Sequence, residues 1–383
     1  MVRLVRLGTS MRAVAAQFKT SLCTVSRWVE RVADQRLDRT DFSDRKSGRA
    51  WNRTASHVEL RIVELRRSLR EESILGEYGA RAIRAVLKAE MPHAPSAATI
   101  NRVLSRRGLQ DGARRIRRLA PPPGWYLPEV ATGAVELDCF DFIEDLKIAD
   151  GPLVDALTAK SLQGRLPDAW MMRGRSAKHA VQCLRQRWKH DGLPGYAQFD
   201  NDTVFQGAHQ FSHAMGRVSR LCLQLQVIPV FVPPLEHGMQ NSIESFNALW
   251  QAKVWQRHRV RSLRELQRRS NAYIAAHRLR TQPLAEAAPR RRALAKRFKL
   301  NLHAPLRGVM IFIRRTDETG HVHLLGQRFA VSSAWLHRLV RCEVDFDHHC
   351  IRCFALRRAA PTEQPLLTTI HYHRADKPFK GKL

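Results

Sequence analysis

The chain has 383 residues, 44% of them hydrophobic, with 65 Lys and Arg against 35 Asp and Glu and a formal net charge of +30. That length allows two or three domains with real cores. No apolar run reaches the 18 residues of a membrane-spanning helix, so no membrane partner is expected.

The charge is uneven. Residues 1–125 carry a net +14, residues 126–250 a net −3 and residues 251–383 a net +19. A mildly acidic centre between basic flanks separates groups that gather cations from groups that neutralise phosphates. The N-terminus lacks an apolar stretch with a cleavage site, so no secretory signal is expected. Seven cysteines, scattered through apparent core segments, fit reduced thiols in a cytosolic protein better than a disulfide framework.

In chain order, residues 1–45 predict a helix-turn-helix. Ser10 caps a helix over Met11 to Phe18, Lys19-Thr20-Ser21 makes the turn, and a second helix runs from about Leu22 to Ala33. Val25, Trp28, Val29 and Val32 face inward, which leaves Ser21, Thr24, Ser26, Arg27 and Arg31 outward. A recognition helix uses such polar residues on base edges and arginines on phosphates. The competing reading is an ordinary helical pair with a solvated basic face. Residues 36–54 form a polar, charged arm.

A second helical unit spans 55–109. Its last helix begins after Ser96 and ends at Gly108, with Thr99, Arg102 and Arg106 exposed. Residues 110–128 are a basic, Pro-rich linker in which Arg114 and Arg115 are placed to grip DNA.

Residues 129–250 alternate strands and helices, which predicts a mixed α/β core. A strand over Ala134 to Phe142 carries Asp138 on the face opposite Leu137; Asp141 lies on the other face and is the second choice. The strand Tyr196 to Phe199 ends on Asp200. The strand Val227 to Val232 ends on Pro233-Pro234, and a polar turn then leads to a helix with Glu244. Three such carboxylates can converge on magnesium or manganese, and two ions clamp the attacking and leaving oxygens of a phosphodiester. Residues 251–300 predict a basic helical extension, with Arg257, Arg259, Arg261, Arg264, Arg268 and Arg269 toward DNA. Residues 301–383 alternate strongly, as in a small β-barrel. His348, His349, Cys350 and Cys353 suggest zinc, but residues 350 and 353 face opposite sides of a strand, so no zinc site is expected.

The order Asp138, Asp200, Glu244 resembles the DDE triad of bacterial insertion-sequence transposases with a retroviral-integrase-like core. The family pattern D-N-G-x-x-F appears as Asp200-Asn201-Asp202-Thr203-Val204-Phe205, with Asp for Gly. The pattern N-G-x-x-E-x-F-N appears, one residue shorter, as Asn241-Ser242-Ile243-Glu244-Ser245-Phe246-Asn247. The resemblance implies an RNase H-like core, tandem helix-turn-helix and winged-helix-like modules, and a C-terminal barrel like that of phage-Mu-type transposases. It also implies two Mg²⁺ or Mn²⁺ ions held by Asp138, Asp200 and Glu244, nicking and strand transfer on element-end and target double-stranded DNA, and a homo-oligomer on that DNA. The expected fold class is therefore multidomain α + α/β + β. The alternatives are a DNA-binding regulator with an inactive core and a nuclease without strand transfer.

Overall fold

Two serines start the first helices of consequence. In the computed structural model, which describes all residues except 34, 41, 44–53, 112–122, 150, 208–213, 234, 235, 237, 375–378 and 380–383, α1 (Val2–Arg6), α2 (Met11–Gln17) and α3 (Leu22–Val32) follow one another. The Ser10 hydroxyl accepts from Ala13 N–H (3.2 Å) and Ser21 from Thr24 N–H (3.1 Å), satisfying donors that a helix start leaves free. Val14, Ala15 and Val25 form a small core with Leu4, Val5 and Val29 packed on it. Arg6 donates to the carbonyls of Ala33 (2.7 Å) and Gln35 (2.8 Å) just past α3, where a helix end favours a cation. Residues 1–60 form one compact unit and residues 61–383 another.

Helices α4 (Ser56–Glu72), α5 (Ala80–Glu90) and α6 (Ala97–Arg106) match the expected second helical unit. Ile62, Ile83, Leu87, Ile100 and Val103 are buried. The C-terminal end of α4 and the turn after it are held from far along the chain: Arg257 donates to the Glu71 carbonyl (2.6 Å) and Lys253 to that of Gly76 (3.0 Å). Arg257, expected on a DNA-facing surface, thus satisfies orphan carbonyls where a cation suits the helix dipole.

Six further helices flank a sheet: α7 (Pro128–Ala131), α8 (Ala177–Asp191), α9 (Thr203–Gln206), α10 (Arg217–Gln224), α11 (Asn241–Trp250) and α12 (Leu263–Glu286). The strands are β1 (Leu137–Lys147), β2 (Leu153–Ser161), β3 (Pro167–Met172), β4 (Tyr196–Phe199), β5 (Ile228–Phe231), β6 (Val309–Arg315), β7 (His321–Leu324), β8 (Gln327–Ala330), β9 (Leu339–Asp345), β10 (Cys350–Ala355) and β11 (Leu366–His371). Nine of them make one mixed sheet in the order β11-β10-β9-β6-β5-β4-β1-β2-β3, and β7 and β8 pair separately. Strands β1, β4, β5 and β6 are parallel. One face packs on α8 and α10 through Phe140, Leu184, Trp188, Leu221 and Phe231. The other packs on α11 and α12 through Leu137, Cys139, Phe246, Trp250 and Leu266.

The C-terminal strands correct the barrel expectation. They extend the core's sheet rather than closing on themselves: β6 lies parallel to β5, with Val230 opposite Ile311 and Phe231 opposite Phe312, and β9, β10 and β11 add beyond it. The reason is visible in β6. Met310 and Phe312 belong to one apolar cluster and Ile311 and Ile313 to the other, so the strand is covered on both faces. That is the pattern of an interior strand and not of a small barrel's one-sided wall. On β10, residues 351, 353 and 355 are buried while 350, 352 and 354 are partly exposed, so Cys350 and Cys353 do face opposite sides.

The expected boundaries shift with the sheet. Trp125, Tyr126 and Leu127, placed in the linker by their neighbours, are buried in the α11-side core. The core does not stop at residue 250, and Arg291 and Arg292, placed in the basic helical extension, lie against it. Arg114, Arg115 and Pro234 lie outside the described residues.

Candidate active site

The two faces of β1 hold two different carboxylates. Alternation places Leu137, Cys139, Asp141 and Ile143 toward α11 and α12, and Asp138, Phe140 and Phe142 toward α8. Asp138 is fully buried there. Arg187 donates to both its oxygens (3.0 Å each), Arg291 does the same (2.7 and 3.1 Å), and Trp188 Nε1 adds a bond of 3.2 Å. The network continues through Asp168 and Asp191 to Arg278 (2.8 Å to each). Burial by itself would push the Asp138 carboxyl up; Arg187 and Arg291 outweigh it and hold the group well below the usual carboxylate range.

Asp138 is therefore not brought together with Asp200 and Glu244, contrary to the expectation. Asp141 is. In the parallel pairing of β1 with β4, Leu137 stands opposite Tyr196 and Cys139 opposite Gln198. Continued two residues, just past the end of β4, that register brings Asp200 alongside Asp141 on the same face, and the Asp200 charge acts on Asp141. Opposite Asp141 on β2 stands Thr158. The Thr158 hydroxyl donates to Asn247 Oδ1 (2.7 Å), and Asn247 Nδ2 donates to Asp141 Oδ2 (2.8 Å). Asn247 lies three residues beyond Glu244 on α11, so both share a helix face and Glu244 is carried over the same edge. Burial first, then the charge of Asp200 and with it that of Glu244, push the Asp141 carboxyl up to about 7, against hydrogen bonds from Phe142 N–H (3.0 Å) and Asn247. Burial raises Asp200 as well.

Local sequence explains how each group is held. After β4, Asp200 Oδ1 accepts from Asp202 N–H (3.0 Å). Asp202 then caps α9 through Val204 N–H (2.7 Å) and pairs with Arg175. Its φ of −58° is open to any residue, so the family glycine is not needed there. Phe205 is fully buried against Phe199 (4.9 Å between centroids) and Phe142 (5.1 Å), which anchors the turn. Asn201 ties two strands to it: its amide nitrogen donates to the Val232 carbonyl, and its oxygen accepts from Arg314 Nη2 (2.8 Å) of β6. Arg314 also donates to the carbonyls of Phe231 (3.3 Å) and His323 (3.2 Å). On α11, Ile243, Phe246 and Trp250 are buried while Glu244 is exposed.

The donor set is all oxygen, which suits a hard divalent cation. Among the described residues no Lys or Arg forms an ion pair with Asp141, Asp200 or Glu244; the charge of Arg175, which pairs with Asp202, offsets only part of what raises Asp200. Nor, among the described residues, do any three His, Cys, Asp or Glu side chains already close on one point. Asp200 and the exposed Glu244 are near enough for their charges to act on Asp141.

Of the expected DNA-contacting residues, Arg27, Arg102 and Arg106 are exposed, and Ser21, Thr24, Ser26 and Thr99 lie at the starts of α3 and α6. Ser26 bonds Glu30 (2.9 Å), and Arg31 stacks over Trp28 (4.7 Å to the ring centroid). Sequence reasoning missed Asn201, Thr158, Asn247 and Arg314, and ranked Asp141 second. Strand parity was the available signal: Glu244's helix packs on the Leu137–Cys139 face, which Asp138 does not share.

No family model matches the chain, and no curated protein matches it. Among solved structures it is similar to the catalytic core domain of BIV integrase, with 14% identity over 37% of this chain and 80% of that chain, at a TM-score of 0.26. It is also similar to the simian T-cell lymphotropic virus intasome in complex with PP2A regulatory subunit B56 gamma, with 9% identity over 78% of this chain and 96% of that chain, at a TM-score of 0.33. Both likenesses are low.

Proposed function

We propose that the chain is a DDE-type transposase, a polynucleotidyl transferase with an RNase H-like core. It binds element-end DNA, nicks it, and joins the freed 3′-hydroxyl to target DNA. The observation that carries this reading is the grouping of Asp141 on β1, Asp200 just past the parallel strand β4 and Glu244 on α11, with no basic side chain among the described residues in an ion pair with them. Asp141 replaces Asp138 in the expected triad.

Asp141, Asp200 and Glu244 would hold two Mg²⁺ or Mn²⁺ ions, which when bound lower the pKa of water and stabilise charge on the phosphodiester oxygens. Asn247 orients Asp141 through a 2.8 Å hydrogen bond. The Asp202 N–H and the Asn201 amide fix the turn that presents Asp200. The exposed arginines of α3 and α6 bind duplex phosphates and base edges. Cutting two ends together requires two such centres, so the active form is a homo-oligomer on DNA. Among the described residues no helix is long and apolar enough to cross a membrane.

The test incubates the full chain with Mg²⁺ and DNA carrying candidate inverted repeats from the sequence around its gene, beside Asp141→Asn and Glu244→Gln. Joined product from the parent alone is expected. Equal joining by all three would remove the reading, and binding without joining by any would leave a DNA-binding regulator. Gel filtration with paired ends tests the oligomer; a complex that stays monomeric would defeat that part.

A further inference from the structure

The helix pairs α2–α3 and α5–α6 are built alike. Aligned on Val14 and Ile83, the first helices read MRAVAAQFK (11–19) and ARAIRAVLK (80–88), so that Arg12, Ala13, Ala16 and Lys19 recur as Arg81, Ala82, Ala85 and Lys88. Val14 and Ile83 are both fully buried. The second helices, with their caps, read SLCTVSRWVER (21–31) and SAATINRVLSR (96–106). The turn between the members of a pair is longer in the second case, which offsets the two halves and hides the repeat in the bare sequence.

The correspondence holds atom by atom at the cap. Ser21 has φ −74° and ψ 150°, Ser96 φ −63° and ψ 153°. Each hydroxyl accepts from the N–H of the residue three further on, Thr24 or Thr99, at 3.1 Å in both cases. Each also bonds that threonine's hydroxyl, at 2.8 and 3.0 Å. Val25 and Ile100 then point inward with no exposure, and two residues later Arg27 and Arg102 stand exposed at the same position of the helix.

We propose that the chain carries one DNA-reading helix pair twice, and that Arg27 and Arg102 make the same contact, a forked bond to a guanine edge, in two related short subsites of duplex DNA. Arginine is the side chain whose two parallel donors match guanine O6 and N7 in the major groove. The residue beside it differs. Ser26 is bonded to Glu30 (2.9 Å), whereas exposed Asn101 has the amide that suits adenine. The second subsite therefore adds an adenine preference to the shared guanine. The inference rests on the DNA-binding half of the function proposed above and not on its chemistry.

The experiment selects the full chain against a random-sequence duplex library and sequences the bound pool, for the parent, Arg27→Ala, Arg102→Ala and Arg27→Lys. Two copies of one short core sharing a guanine are expected from the parent. Arg27→Ala relaxes that guanine in one copy and Arg102→Ala in the other, each weakening its site roughly tenfold to a hundredfold. Arg27→Lys keeps the charge yet relaxes the same base. A single core, two unrelated cores, or no core would overturn the proposal. So would a loss uniform across sequences with the salt dependence reduced by about one ion, the mark of phosphate contacts. Joining is measured separately, so failure of this proposal and failure of the proposed chemistry are distinguishable.

Discussion

Asp138 and Asp141 sit three residues apart on one strand and are opposites. Asp138 lies within bonding reach of two arginines and an indole; Asp141 has two neutral donors and two carboxylate neighbours. One has its charge fully compensated and the other has not. A compensated buried carboxylate holds a fold together, whereas an uncompensated cluster awaits a cation.

The sharpest way to break the contrast is activity. Asp141→Asn and Glu244→Gln should each cut Mg²⁺-dependent joining by at least about a hundredfold, because each removes charge from the reacting centre. A joining assay with matched protein concentrations reads it. Parent-like rates from Asp141→Asn would return the role to Asp138.

Stability should invert the order. Asp138→Asn takes from Arg291 its closest anion and from Arg187 one of the three carboxylates it pairs with, which costs about 3 kcal/mol. Urea unfolding should show the loss, while Asp141→Asn should not. A neutral result for Asp138→Asn would mean the network is dispensable.

The two faces also differ in pH response. The folded-state pKa of Asp141, about 7, lies above its unfolded value. The folded state then holds the extra proton between about pH 4 and 7, so this group makes stability fall as pH rises through that window, by at most a few kcal/mol. In chelator, Asp141→Asn should match the parent near pH 4 and exceed it at pH 8, with Mg²⁺ restoring the parent alone. Asp138 and Asp191, both depressed, act in the opposite sense: their stabilisation is present above the unfolded carboxylate range and is lost as pH falls. Melting curves across pH separate the two. A parent curve flat from pH 4 to 8 in chelator would deny the repulsion.

Much of this was legible from residue pattern. Caps at Ser10, Ser21 and Ser96 and the apolar stripes located α2, α3 and α6 within a residue or two, because helix starts are written locally. Asp200 and Glu244 stood out because a short apolar strand and an amphipathic helix each present them. What the pattern could not supply was partnership across the sheet. Whether Asp138 or Asp141 faces Glu244 depends on which side of β1 receives α11. Likewise β6 reads as an alternating strand, yet its place beside β5 is set by the parallel edge that β5 leaves open. Arg257 and Arg291 show the same limit: arginines in basic runs look solvated until a distant carbonyl or carboxylate meets them.

The smallest expected effect probes the reach of the C-terminal strands into the site. If β6 were only an appendage, Arg314 could be exchanged freely. Its guanidinium instead bonds Asn201, the residue after Asp200, together with the carbonyls of Phe231 and His323. Arg314→Lys keeps a charge but cannot span those acceptors. Supports one bond removed from a ligand typically contribute tenfold or more to metal affinity, so Arg314→Lys should weaken Mn²⁺ binding by roughly tenfold. Asn201→Leu should match it, and the double variant should add little, since both remove one linkage. Titration calorimetry with Mn²⁺ measures the affinity and urea unfolding checks the fold. Additive losses in the double variant would mean that Arg314 and Asn201 support Asp200 independently, and that β6 reaches the site by another route.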